Sequence, residues 1–212
     1  MKLFLYLAGP DGSGKTTHME SVVKQFQSQN IVLKHIWIRS PKILSKPLMV
    51  YCRLAGLTRY KLINGLKVGK HEFYKSNTIS QIFPYIQLFD MMITNFILLK
   101  IPMLFKKRNI IFDRFALDTL ADLMVDTKRY NLHETWVGKK FITMIPENTK
   151  IIILDIDEKT ARKRKNDVEH DPLLLDKIQV YQILAKDLQI KTINNNKPFN
   201  VVEKEIGDWF NK

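Results

Sequence analysis

The chain is poor in cysteine, in acidic residues and in long apolar runs. Its 212 residues hold one cysteine, Cys52. That excludes an intrachain disulfide framework and fits a reducing compartment, so a cytoplasmic location is expected. Acids number 21 against 34 lysines and arginines, giving a formal charge of +13. No stretch reaches the roughly 18 uninterrupted apolar residues of a bilayer span. The nearest, Ile82 to Phe105, is broken by Gln87, Asp90, Asn95, Lys100 and two prolines. The apolar run after Met1-Lys2 stops at Gly9-Pro10-Asp11-Gly12, too soon for a secretory leader. There is no internal repeat and no low-complexity linker, so residues 1–212 read as one domain. An apolar content of 45% suffices for a core without staples.

The positive charge is concentrated. Lys34, Arg39, Lys42, Lys46, Arg53, Arg59, Lys61, Lys67, Lys70 and Lys75 share one stretch with a single acid, Glu72. Phosphorylated ligands, nucleic acid, an anionic lipid surface and a plain solvated surface all fit such a stretch.

Gly9-Pro10-Asp11-Gly12-Ser13-Gly14-Lys15-Thr16 matches the phosphate-binding pattern G-x-x-x-x-G-K-[ST] at every fixed position. An apolar run of strand length, Lys2–Ala8, precedes it, and a helical stretch, Thr16–Gln29, follows. Glycines let backbone N–H groups turn inward around phosphate oxygens, and the helix aims its positive end at the same anion. Gly12, Ser13, Gly14, Lys15, Thr16 and Thr17 are the expected donor-phosphate contacts. Lys15 would reach the outer phosphates, and the Thr16 hydroxyl would hold Mg²⁺.

Further strands are expected at Ile31–Ile38, Asn109–Asp113, Lys150–Asp155 and Gln189–Ile193. Asn194-Asn195-Asn196 reads as a turn, and Val201–Phe210 as a closing helix. The alternation of strand and helix predicts an α/β fold, with a parallel five-stranded sheet between helical layers. Arg39–Arg108 is a long insertion between strands. Its first half has no assignment. From about Thr78 to Phe105 it reads as a core helix, with Pro84 near its start and Pro102 kinking or ending it. A membrane-surface role is the lesser reading of that helix, prompted by Lys106-Lys107-Arg108.

Strand Asn109–Asp113 ends in a carboxylate at the edge where open α/β sheets bind ligands. Asp113 would face the Mg²⁺ shell, or else cap the next helix. Arg114 would clamp a phosphate. Asp118 and Asp122 follow at helical spacing, to orient Arg114, meet the acceptor or form a solvated charge ladder. Lys159, Arg162, Lys163, Arg164 and Lys165 crowd a short window. They read as a basic segment closing over a migrating phosphoryl group, or as a solvated helix end. Asn166–Pro172 reads as loop and Leu173–Leu188 as helix.

Together these residues resemble thymidylate kinases and their less characterised relatives, over nearly the whole chain. Gly9–Thr17 is similar to the family's phosphate loop, Arg39-Ser40-Pro41 to its Arg-x-Pro element, Asp113-Arg114-Phe115 to its Asp-Arg-aromatic motif, and Arg164-Lys165-Asn166-Asp167 to its lid. The resemblance implies a P-loop three-layer sandwich, ATP·Mg²⁺ as donor and a nucleoside monophosphate as acceptor, with dTMP leading. It implies an acceptor region at about 39–105 and a lid at about 159–172. Asp11 would contact the acceptor's sugar, Arg39 and Arg114 its phosphate, and Arg164 the transition state. A homodimer is compatible; nucleic acid and membrane are not implied. The chain departs from the family at Ala8, where members carry Glu, and at Lys42, where they carry Gly. It departs again at Asp90-Met91, where an Asp-Arg pair reads the thymine edge. Another acceptor, such as a nucleoside or a sugar-like metabolite, is the first alternative. A regulator binding nucleotide or nucleic acid without catalysis is the second.

Overall fold

The computed structural model describes residues 2–63, 66–106, 108–164 and 171–211. Among these, five strands form one parallel sheet: β1 (Phe4–Ala8), β2 (Leu33–Trp37), β5 (Asn109–Asp113), β6 (Lys150–Asp155) and β7 (Lys191–Asn194), ordered β2-β5-β1-β6-β7. The strand positions agree with the sequence reading to within two residues at each end. Asn194 closes β7 by pairing with Asp155 and so belongs to the strand rather than to the turn.

β1 occupies the centre and is buried throughout. A strand covered on both faces carries apolar side chains at every position, which is why Phe-Leu-Tyr-Leu-Ala reads as a run and not as an alternation. Its side chains still divide with period two. Phe4, Tyr6 and Ala8 join Ile110, Phe112 and Ile153 in one core. Leu5 and Leu7 join Ile111, Ile152 and Leu154 in the other. Helices α1 (Lys15–Ser28) and α9 (Phe199–Phe210) cover the second face through Met19, Val22, Phe26, Val202, Ile206 and Phe210. Helices α2 (Ser45–Leu54), α3 (Asn77–Asn95), α5 (Ala116–Thr127), α6 (Trp136–Ile142) and α8 (Leu174–Asp187) cover the first. The three-layer α/β sandwich is thus present as expected.

The unassigned half of the insertion folds as α2 followed by an antiparallel ladder, β3 (Thr58–Ile63) with β4 (Leu66–His71), outside the main sheet. The expected 78–105 helix is composite. α3 runs to Asn95, a wider π-helical turn spans Phe96–Lys100, and α4 (Ile101–Phe105) begins around Pro102. Proline has no N–H to return to the preceding turn, a common cause of such widening. Pro84 lies inside α3 and buried, not at its start.

This segment is a core helix on one side only. Ile79, Phe83, Leu88, Met91 and Leu99 are buried, whereas Tyr85, Phe89, Met92, Phe96, Ile97, Leu104 and Phe105 are exposed. By length and composition the segment could cross a membrane. Its packing against α2, α5 and α6 is that of a core-facing helix. α7 (Glu158–Arg164) follows β6; residues 165–170, which hold most of the expected lid motif, lie outside the described residues.

Candidate functional site

β1 delivers the glycine loop to the end of the sheet. Gly12 and Gly14 take φ of 81° and 78°, a region that side chains rarely adopt. Space is equally tight. A Cβ on Gly12 would come within 2.7 Å of the Ala161 carbonyl oxygen, and one on Gly14 within 2.8 Å of Asn195 Nδ2. The residue capping α1 is Gly14, which supplies no side-chain acceptor to the first-turn N–H groups. These groups open onto a cavity of about 370 Å³ lined by Asp11, Gly12, Gly14, Lys15, Thr16, Thr17, Arg114 and Arg164. A dipole end, a glycine cradle and the guanidinium-bearing Arg114 and Arg164 lining one cavity suit a polyphosphate. Ser13 is buried beneath the loop, and its carbonyl accepts from Asn195.

Lys15 folds onto its own loop, donating to the carbonyls of Gly9 at 2.6 Å and Pro10 at 2.7 Å. Burial, and then the neighbouring Arg114, depress its pKa to about 7. Asp113 stands beside Leu7 of β1 and Trp37 of β2, and its carboxylate is 3.4 Å from His35 Nε2. It lies on the same sheet face as Ile111, the face that α1 covers. Thr16 lines the glycine-loop cavity and Asp113 does not; a hydroxyl and a carboxylate are each the hard oxygen donors that Mg²⁺ takes.

Asp11 is the hub between loop and insertion. Arg114 donates to it, Arg39 NH2 lies 3.5 Å away and Lys177 Nζ 3.7 Å away. Burial alone would raise its pKa; Arg114, Lys177, Lys15 and Arg39 together hold it well below the usual carboxylate value. Arg39 grips Asp122 through Nε at 3.0 Å and NH2 at 3.3 Å. Uncommon backbone positions occur at one arginine and beside the other. Arg114 itself has φ of 64°, and Ser40 after Arg39 has φ of 41°. Arg114 therefore precedes α5 and does not extend its face, correcting the shared-helix expectation. Asp118 still lies 3.8 Å from Arg114 NH1.

Asp118 is fully buried. It accepts from the hydroxyls of Tyr6 and Tyr181, each at 2.6 Å, and from the Phe115 N–H at 3.2 Å. Of its expected roles, orienting Arg114 fits this placement and meeting an acceptor does not. Asp122 pairs with Arg39 across the site and is not part of a solvated ladder.

A second cavity, about 270 Å³, is lined by two of the cations that face Asp11, Arg39 and Lys177. Its lining also includes Lys42, His71, Phe83, Gln87, Asp122 and Asp126. Burial and the negative charge of Asp122 push Asp126 well above the usual carboxylate value. Burial, and then the charge of Lys42, lower His71 to about 4, so its imidazole is neutral. Asp90 is not in this cavity. It is buried and accepts the N–H groups of Ile43, Leu44 and Ser45 at 3.1, 2.6 and 2.9 Å, capping α2 from another helix. Met91 is core. Gln87 reaches the cavity, though its amide donates to the Pro41 carbonyl at 2.7 Å.

Arg164 lines the first cavity. Arg162 instead pairs with Glu158 at 2.8 Å and donates to the Asp171 carbonyl at 3.1 Å. Sequence reasoning missed Tyr6, Asn195, Gln87, Asp126, Lys177 and Tyr181 as members of the site. Lys177 and Tyr181 carry the one usable signal, polar groups at i and i+4 on the otherwise apolar face of α8.

The sheet order, the glycine loop and the helix it opens make a P-loop α/β fold. Thymidylate kinase from Ehrlichia chaffeensis is a solved structure of this form. The two are similar over 100% of this chain and 99% of that one, with a TM-score of 0.57 and 17% sequence identity. No protein-family model matches the chain, and no curated protein does.

Proposed function

We propose that the protein is an ATP- and Mg²⁺-dependent kinase of a nucleoside monophosphate, with dTMP the first substrate to test. The observation that carries this reading is the ion-pair cluster that links the linings of the two cavities. Asp11 lines the glycine-loop cavity, and its cation partners Arg39 and Lys177 line the other. A donor and an acceptor would thus meet across one cluster of cations, the arrangement that phosphoryl transfer needs.

On this reading residues 12–17 hold the donor phosphates, while Thr16 and Asp113 hold Mg²⁺, which supplies charge neutralisation between them. Lys15, Arg114 and Arg164 stabilise the migrating group, Arg39 and Arg114 the acceptor phosphate, and Asp11 the acceptor sugar. Residues about 39–105 form the acceptor region of a single domain, and about 159–172 its lid. The buried free thiol of Cys52 is in keeping with a cytoplasmic protein. ADP release over a panel of nucleoside monophosphates, nucleosides and sugar phosphates tests the assignment. Turnover with dTMP no greater than with water alone removes dTMP.

A different acceptor is the second reading, favoured by one observation. The position where a base-reading arginine is expected is Met91, in the core. The polar group that enters the cavity there is Gln87, an amide. A site that lacks the bidentate donor gives up most of its discrimination against other bases.

We further propose that the protein pairs with a second copy through the exposed stripe of Tyr85, Phe89, Met92, Phe96, Ile97, Leu104 and Phe105. Exposed apolar side chains clustered along one helix mark an interaction surface. An antiparallel two-fold pairing would place the basic ends, Lys100, Lys106 and Arg108, far apart. Sedimentation of Phe96→Lys against the unaltered protein tests this; an unchanged mass defeats it.

A further inference from the structure

One cation of the site comes from neither the glycine loop nor an arginine motif. Lys177 lies in the first turn of α8 with 17% of its side chain exposed. Its ammonium is 2.7 Å from Asp171 Oδ2 and 3.7 Å from Asp11 Oδ2, and it lines the second cavity beside Arg39. Burial would strip its proton. The carboxylates of Asp11, Asp171 and Asp122 outweigh that and raise its pKa, so it is charged.

The two pairs are unequal. The contact to Asp171 is a charge-assisted hydrogen bond; the contact to Asp11 is too long for one. Asp11 already has Arg114 as a direct donor and Arg39 near by. A single carboxylate therefore draws three cations, of which only Arg114 lies within hydrogen-bond distance. Such convergence suits a phosphate dianion, whose oxygens accept from several donors at once. An ammonium on a flexible stem can turn from a 3.7 Å contact to such an oxygen without leaving Asp171.

We infer that Lys177 is a third ligand of the acceptor's phosphate, anchored by Asp171 and handed over by Asp11 when a phosphate monoester enters the second cavity. This rests on the kinase reading above and sharpens it: the acceptor already carries a phosphate, which sets nucleosides and neutral sugars aside. The anchor also joins this ligand to α7, since the Asp171 carbonyl accepts from Arg162.

The test uses the full chain with Mg·ADP filling the glycine loop and inorganic phosphate as the probe. Calorimetry should show Lys177→Met weakening phosphate binding by about ten- to a hundredfold, the range for one charge-assisted hydrogen bond, with Lys177→Arg retaining much of it. Phosphate should also protect Lys177 of the unaltered protein from acetylation, read by mass spectrometry, which needs no variant to fold. Equal phosphate binding by Lys177→Met, or no protection, overturns the inference. With an active acceptor, Lys177→Met should raise the acceptor KM by a similar factor and leave the ATP KM alone. Loss of phosphate binding with no nucleoside monophosphate turned over keeps Lys177 as a phosphate ligand and discards the kinase reading. Turnover with an unchanged acceptor KM does the reverse.

Discussion

Asp118→Asn perturbs the junction on which the site is mounted. The carboxylate links β1 through Tyr6, α8 through Tyr181, the start of α5 through the Phe115 N–H, and Arg114 at 3.8 Å. Asparagine keeps the size but replaces one acceptor oxygen with a donor. Tyr6 Oη cannot simply reverse its role, because it already accepts the N–H groups of Phe115 and Asp118, each at 3.2 Å. At least one tyrosine hydroxyl is then left buried without an acceptor, and Arg114 loses a counter-charge. A hydrogen bond to a charged group contributes about 1.5–3 kcal/mol, so the expected loss is about 3 kcal/mol. For a chain of this size that lowers Tm by about 6–12 °C. Urea unfolding of Asp118→Asn, Tyr181→Phe and the double variant isolates the bond. Tyr181→Phe should cost about 2 kcal/mol alone and about 1 kcal/mol less in the asparagine background. Additive costs within about 0.3 kcal/mol, or an Asn variant as stable as the parent, would refute the argument.

Lys15 should take up a proton when Mg·ATP binds. With a pKa of about 7 it is about one-tenth protonated at pH 8, and bound phosphates would restore its charge, so calorimetry in buffers of different ionisation enthalpy should give about 0.9 proton at pH 8 and about 0.1 at pH 6. Lys15→Met should abolish the uptake, and equal uptake in both proteins would contradict the depressed pKa. Asp126 favours its neutral form in the fold, so the native state is increasingly penalised as pH rises from the unfolded value of about 3.9 towards the raised one. Asp126→Asn should melt higher than the parent at pH 7 and together with it near pH 3.5; an equal Tm at pH 7 counts against the shift. Gly138→Ala should lower Tm by about 10 °C or prevent folding, because its Cβ would sit 2.2 Å from the Leu132 carbonyl oxygen and 2.4 Å from His133 Cα. A neutral outcome in thermal melts would show that this turn relaxes freely.

The parts of the molecule that the sequence reveals are those governed by local chemistry. β1 and β5 are legible because strands covered on both faces leave few polar positions. The glycine loop is legible because its left-handed backbone at Gly12 and Gly14 admits almost no other residue. The β3–β4 ladder is only weakly legible in the sequence. Asn64-Gly65, between Leu62-Ile63 and Leu66, is the commonest hairpin dipeptide, but the surrounding lysines and Gly69 blur the strand pattern.

Asp90 shows the other limit. As a sequence position it invited comparison with a base-reading pair; in the fold its carboxylate caps α2, a contact across 45 residues of chain. Lys177 and Tyr181 are alike in this respect. Helical spacing places them on one face of α8, but only the packing of α8 against α5 turns that face towards Asp11 and Asp118. The sequence by itself determined the strand-loop-helix unit that offers a phosphate site, since backbone conformation and burial of a central strand constrain residue type directly. Tertiary structure alone decided which distant side chains surround that site. Their partners lie tens of residues away, and no local propensity encodes a contact across that separation.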